Sequence, residues 1–149
     1  MPGGYPELHA ASLASLGALA AQLQAHAAAR KPLWAECGGL MMLADQLVDA
    51  DGQLHRGWGL LPGRVRLQRR LAGLGAQQLH LAGEPLRGHS FHYSTFDTPL
   101  APAAWTEPAP GARSREALYQ QGSLRASYFH AWFASSPQAT TALFSPCMN

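Results

Sequence analysis

The feature that most constrains this chain is a cysteine set between two apolar runs of opposite character. Lys31-Pro32-Leu33-Trp34-Ala35-Glu36 is short and extended, Leu40-Met41-Met42-Leu43-Ala44 has helical character, and only Cys37-Gly38-Gly39 joins them. The pattern reads as strand, sharp turn, helix. Such a turn lifts a thiol out of a sheet, and the N-terminus of the following helix favours its thiolate. The glycines let a substrate approach the backbone, with the Gly38 amide aimed where an oxyanion would form, as in a serine-hydrolase elbow with sulfur in place of oxygen. Spacing alone fits a buried structural cysteine equally well.

A thiolate nucleophile needs a base within hydrogen-bond reach, and the sequence offers seven histidines. His130 is the best placed of them. It closes the strand-like run Arg125-Ala126-Ser127-Tyr128-Phe129, and open α/β sheets carry their chemistry at strand ends. A solvent-facing histidine in an aromatic segment is the competing reading. A zinc site built from His89, His92 and Cys37 is disfavoured, because positions three apart on a strand face opposite ways; no metal is expected.

With 149 residues, 47% hydrophobic and 13% charged, the chain can bury one core and is not a disordered tail. Its basic residues are scattered apart from Arg64, Arg66, Arg69 and Arg70, which read as a solvated face, so no nucleic-acid partner is expected. Cys37 and Cys147 lie far apart, which argues against a disulfide and for a reduced, cytoplasmic chain, with Cys147 a bystander. The alanine-rich residues 10–29 include Gln22, Gln24 and His26 and form neither a signal peptide nor a membrane span. Leu13, Leu16, Ala20 and Leu23 recur at helical spacing and predict one helix over residues 7–28. Short strands are expected at 58–61, 65–67, 77–81, 88–94, 118–119 and 124–129, with a surface loop over 99–111. The fold class is α/β with a mixed sheet.

Five blocks then carry a resemblance over nearly the whole chain. Pro2-Gly3-Gly4-Tyr5-Pro6-Glu7, Glu36-Cys37-Gly38-Gly39-Leu40-Met41, Gly59-Leu60-Leu61-Pro62, Arg87-Gly88-His89-Ser90-Phe91-His92-Tyr93-Ser94 and Ser127-Tyr128-Phe129-His130 stand in that order. The chain resembles the C-terminal glutaminase part of cobyrinic (or hydrogenobyrinic) acid a,c-diamide synthases, class I-like glutamine amidotransferases of the cobyric acid synthase type. The resemblance implies a three-layer class I amidotransferase-like fold, with Cys37 as nucleophile and His130 as its acid/base partner. It implies that Gly3 and Gly4 wall the oxyanion site together with Gly38, and that His89, His92, Tyr93, Ser94, Ser127 and Tyr128 contact substrate. The reaction implied is glutamine hydrolysis, supplying ammonia for ATP-dependent amidation of the a and c acetate side chains of a corrinoid.

Ser90, Trp132 and Ala76 depart from the family pattern, which usually shows glutamate, histidine and tyrosine there. Ordinary class I glutaminases also place a glutamate two residues after the histidine, where this chain has Trp132, so a cysteine–histidine dyad oriented by some other acceptor is expected. The sequence contains no G-x-x-x-x-G-K-[ST] phosphate loop. ATP and Mg2+ are therefore expected in an N-terminal synthetase domain outside this chain, which also contacts the corrinoid, with no cofactor in residues 1–149. Those residues are expected to form a partial glutaminase domain lacking its first strands, whose open edges favour a homo-oligomer. The alternatives are a catalytically silent interaction domain, or the glutaminase part of a related tetrapyrrole amidase such as nickel-sirohydrochlorin a,c-diamide synthase.

Overall fold

The computed structural model describes residues 1–112 and 114–145; Cys147 lies outside them. Pro6–His9 is a 3-10 turn leading to α1 (Ala10–Ala14) and α2 (Gly17–Ala28). The single helix expected over 7–28 is thus broken. The Ser15 hydroxyl donates to Ser12 O at 2.6 Å and the Ser15 amide is shared between Ala11 O and Ser12 O, closing α1 before Gly17 starts afresh. Leu13, Ala20 and Leu23 still lean on the core, while Leu16, at the break, is 44% exposed.

β1 (Leu33–Glu36) runs into α3 (Gly38–Leu43), and α3 passes without a loop into β2 (Ala44–Val48). β3 (Leu54–Arg56) and β4 (Leu61–Leu67) complete this part. Residues 58–60 are not the strand that their apolar character predicted. The Trp58, Leu60 and Gly59 amides donate to Met42 O, Leu43 O and Ala44 O, the carbonyls that the end of α3 leaves without helical partners. Residues 65–67 belong instead to the continuous β4, which passes through Pro62 and Gly63.

β5 (Gly73–Leu81) and β6 (Glu84–His92) form a hairpin, joined by Ala82 and Gly83, both at positive φ as a tight two-residue turn requires. Then come β7 (Ser94–Asp97), the two-residue strands β8 (Ala104–Trp105) and β9 (Glu107–Pro108) within the expected loop, and β10 (Ala117–Gln121). β11 (Leu124–Ser127), β12 (His130–Ala131), a 3-10 turn at Phe133–Ser135 and α4 (Pro137–Phe144) finish the described chain.

Among the described residues the strands make three four-stranded sheets, ordered β1-β11-β10-β8, β12-β6-β5-β9 and β3-β2-β4-β7. β1 runs parallel to β11 and β2 parallel to β4, and the other pairings are antiparallel, so the fold is α/β with mixed sheets. All six residues of α3 are buried, and Leu40, Met41, Met42 and Leu43 belong to a core shared with Leu47, Leu61, Val65 and Tyr128. Leu40 and Leu43 are fully enclosed, each contributing about 1.5–3 kcal/mol of apolar burial, so the segment that follows Cys37 is anchored. A second cluster around Leu79, Leu86, Leu118 and Phe129 holds β6, β10 and α4 together beneath His130.

Candidate active site

The end of β1 sets Cys37. Its amide donates to Ser127 O at 2.8 Å, which extends the parallel β1–β11 register (Glu36↔Ser127) by one more bond. Its carbonyl accepts from the Met41 amide at 3.0 Å, opening α3. To serve both elements the residue adopts φ 43° and ψ −105°, a conformation that L residues avoid. The strand–turn–helix read from the sequence is therefore present and strained at the cysteine.

The N-terminal glycine turn is laid over this elbow. The backbone nitrogen of Met1 donates to Trp34 O at 2.6 Å and the Glu36 amide donates to Met1 O at 3.0 Å, so the first residues run beside β1. Gly3 and Gly4 follow at close quarters. A side chain at Gly38 would come within 2.6 Å of Gly4 O and 2.9 Å of Gly4 N, and one at Gly3 within 2.3 Å of His130 Cε1. Glycine is required at both positions by proximity alone.

β12 brings His130 to the same place, opposite His89 on β6. The two imidazoles stack with centroids 4.9 Å apart. Cys37 and His130 line one cleft of about 520 Å³ together with Gly4, Tyr5, His89 and Ser90, and Leu74, Gly75 and Phe91 supply apolar wall. Burial, then the neighbouring His89, hold His130 below an ordinary imidazole; Glu36 opposes this and His92 adds to it.

The thiol is the clearest departure from expectation. Burial pushes Cys37 up to about 11, and although the Gly38 amide pulls it down, the carboxylates of Glu7, Glu116 and Glu36 add to the rise. A helix of six residues beneath a cysteine only 7% exposed does not offset these influences. The resting site holds a neutral thiol beside a neutral imidazole.

The other residues read from the sequence divide into three places. His89 lines the main cleft. His92, Tyr93 and Ser94 line a smaller hollow that also touches Cys37, Gly4 and Glu7. Ser127 and Tyr128 are interior: the Ser127 hydroxyl accepts from the Phe129 amide, and Tyr128 stacks on His92 at 3.9 Å while accepting from the Ser94 hydroxyl at 2.9 Å. Of the family departures, Trp132 is 59% exposed, and Ser90 is buried with its hydroxyl donating to Glu116 Oε1 at 2.5 Å.

Three carboxylates escaped sequence reasoning. Glu116 is buried with His92 at 3.1 Å; burial pulls its carboxyl up, but His92, Ser90 and Ser114 together hold it below the ordinary range. Glu7 has a buried oxygen without a hydrogen-bond partner, and burial pushes its carboxyl up. Glu36 sits inside a quoted motif, yet a carboxylate at a strand end carries no signal of its own. Among the described residues no group of three His, Cys, Asp or Glu is arranged to hold a metal, and no helix is long and apolar enough to cross a membrane.

Known proteins place this chain in a family. The CobB/CobQ-like glutamine amidotransferase domain matches residues 1–138. The chain is 49% identical over 146 residues to the cobyrinate a,c-diamide synthase of Herminiimonas arsenicoxydans, covering 98% of the chain and 33% of that protein. It is 49% identical over 149 residues to the hydrogenobyrinate a,c-diamide synthase of Pseudomonas aeruginosa, covering 100% and 34%, and 38% identical over 148 residues to the cobyrinate a,c-diamide synthase of Salmonella typhimurium, covering 91% and 32%. It therefore spans about one third of the length of these relatives and belongs to the CobB/CobQ-like glutamine amidotransferase domain family.

Proposed function

We propose that this chain hydrolyses glutamine to glutamate and ammonia, with Cys37 as nucleophile and His130 as general base and acid. The observation that carries the reading is the strained Cys37 elbow sharing one cleft with His130, with the Gly3-Gly4 turn pressed on both.

The chemistry follows from the neutral pair. His130 takes the thiol proton as sulfur bonds to the glutamine side-chain carbonyl carbon, and the carbonyl electron pair moves onto oxygen. We assign the amides of the Gly3-Gly4 turn and of Gly38 to that oxygen, where one such donor would stabilise the transition state by about 3–4 kcal/mol. Collapse breaks the C–N bond, with His130 returning the proton to the departing nitrogen as ammonia. Water, deprotonated by His130, then cleaves the thioester and frees glutamate and the thiol.

In the whole protein the ammonia would amidate the a and c acetates of cobyrinic or hydrogenobyrinic acid, as the names of the relatives indicate for them. ATP with Mg2+ would activate those carboxylates in the part of the relatives' length that this segment does not span. Glutamine is the partner of the cleft described here, and the corrinoid belongs to the remainder.

The test is the pH profile of glutamate release. His130 must be neutral to act as base; because burial and the neighbouring His89 hold it below an ordinary imidazole, kcat/KM rises with pH and reaches its plateau on the acid side of an ordinary histidine. The plateau then persists through neutral and mildly alkaline pH, since the thiol stays protonated until about 11. A rate climbing tenfold per pH unit across the neutral range would mean that free thiolate is required, contradicting general-base activation of Cys37.

A further inference from the structure

Glu36 precedes the nucleophile in sequence, but its side chain turns away from Cys37 toward β12. One carboxylate oxygen, Oε1, accepts from the Trp34 indole Nε1 at 2.8 Å and from the Ala131 amide at 3.0 Å. Those donors lie on either side of it, one on its own strand and one on the residue after His130. The carboxylate is 12% exposed and its free oxygen, Oε2, faces His130 Nδ1 at 3.9 Å.

We infer that Glu36 is the positioning residue for His130, the acceptor that orients its imidazole and stabilises its charged form during turnover. The inference rests on the proposed glutaminase reading. Two anchors on Oε1 remove the freedom of a side chain that would otherwise swing, so Oε2 is presented at a fixed point. The separation is longer than a hydrogen bond, as is common for acid–base pairs in free enzymes, and it closes when the ring gains a proton.

With Nδ1–H directed at Glu36, the lone pair is left on Nε2, the atom available to take the thiol proton. The position two residues after the histidine holds Trp132, whose side chain is mostly in solvent. It has no carboxylate to offer. Ala131, between the two, hands its amide to Glu36, so the same backbone that carries His130 also locks its partner.

The groups facing His130 set the sign. From β6, His89 stacks on the ring and His92 lies further along, both disfavouring a positive charge; from β1, Glu36 alone favours it. Cys37 and the Gly3 backbone close the remaining sides. Loss of the Glu36 charge leaves only influences that lower the histidine.

Glu36→Gln isolates this role, because the amide oxygen still accepts from Trp34 and Ala131 while the charge disappears. The variant is expected to keep its melting temperature, lose about ten- to a hundredfold in kcat with little change in KM for glutamine, and show His130 titrating at lower pH by NMR. Unchanged kcat and an unchanged His130 titration in a folded variant would overturn the inference. If the variant does not fold, Trp34→Phe, which releases one anchor and leaves the charge, must lower kcat; wild-type turnover there also overturns it. A wild-type protein releasing no glutamate would sink the proposed function, and the imidazole titration alone would then decide the role of Glu36.

Discussion

Cys37→Ser abolishes glutamine-dependent amidation in the full-length enzyme carrying this segment, while amidation supported by free ammonia continues. The expected loss with glutamine is at least about a thousandfold, because a hydroxyl is a far weaker nucleophile with the same depressed imidazole as its base. With ammonia supplied, the thiol has no part, since carboxylate activation occurs elsewhere. Parallel initial rates with the two nitrogen donors check the prediction. Equal loss with both would assign Cys37 to the architecture. A companion variant separates the two roles further: Cys37→Gly relieves the backbone at φ 43° and so melts no lower than Cys37→Ala, although both lack glutaminase activity.

Gly3→Ala is expected to cost about a hundredfold or more in kcat without replacing any side chain that performs chemistry. Its Cβ would lie 2.3 Å from His130 Cε1 and 3.0 Å from Nδ1, so the ring must move. His89 stacks on one side of that ring and Glu36 faces its Nδ1, which leaves no displacement that preserves the geometry. Gly17→Ala provides the control, because a Cβ there meets nothing within 4 Å. The comparison needs turnover and thermal melts on both variants. A Gly3→Ala protein with normal kcat would show that the turn is spacious around His130 and that the packing argument fails.

How much of this was legible beforehand depended on how local each feature is. The Cys37 elbow was readable because an extended run, two glycines and a helical run are adjacent in sequence, and the five ordered blocks fixed the family to which the chain belongs. The break between α1 and α2 was missed because a stripe of leucines and alanines outweighs one serine in a periodicity argument, although Ser15 and Gly17 were the signal. Residues 58–60 were apolar enough for a strand, but their amides are drawn to the carbonyls at the end of α3, a demand invisible without the tertiary fold.

Within the candidate site, glycine spacing pointed to the turn, whereas the carboxylates carried no pattern. Glu36 acquires meaning only when Ala131, 95 residues away, is brought against it by β12. The thiol acidity ran opposite to expectation for a related reason. A helix terminus is a local property that sequence announces, while burial and the convergence of Glu7, Glu116 and Glu36 are not, and here burial is the largest influence.

The central claim, that Cys37 is a nucleophile aimed into a glutamine-binding cleft, is tested most directly by covalent labelling with a glutamine analogue bearing an electrophilic diazoketone in place of the side-chain amide. Mass spectrometry of the folded protein is expected to find one adduct, on Cys37, formed far faster than with a simple alkylating agent, suppressed by glutamine and slowed by His130→Ala. The neutral resting thiol makes the contrast sharp, since only a reagent that engages the cleft can recruit His130 as base. Labelling of Cys37 that glutamine does not suppress, or that proceeds no faster than simple alkylation, would contradict the account.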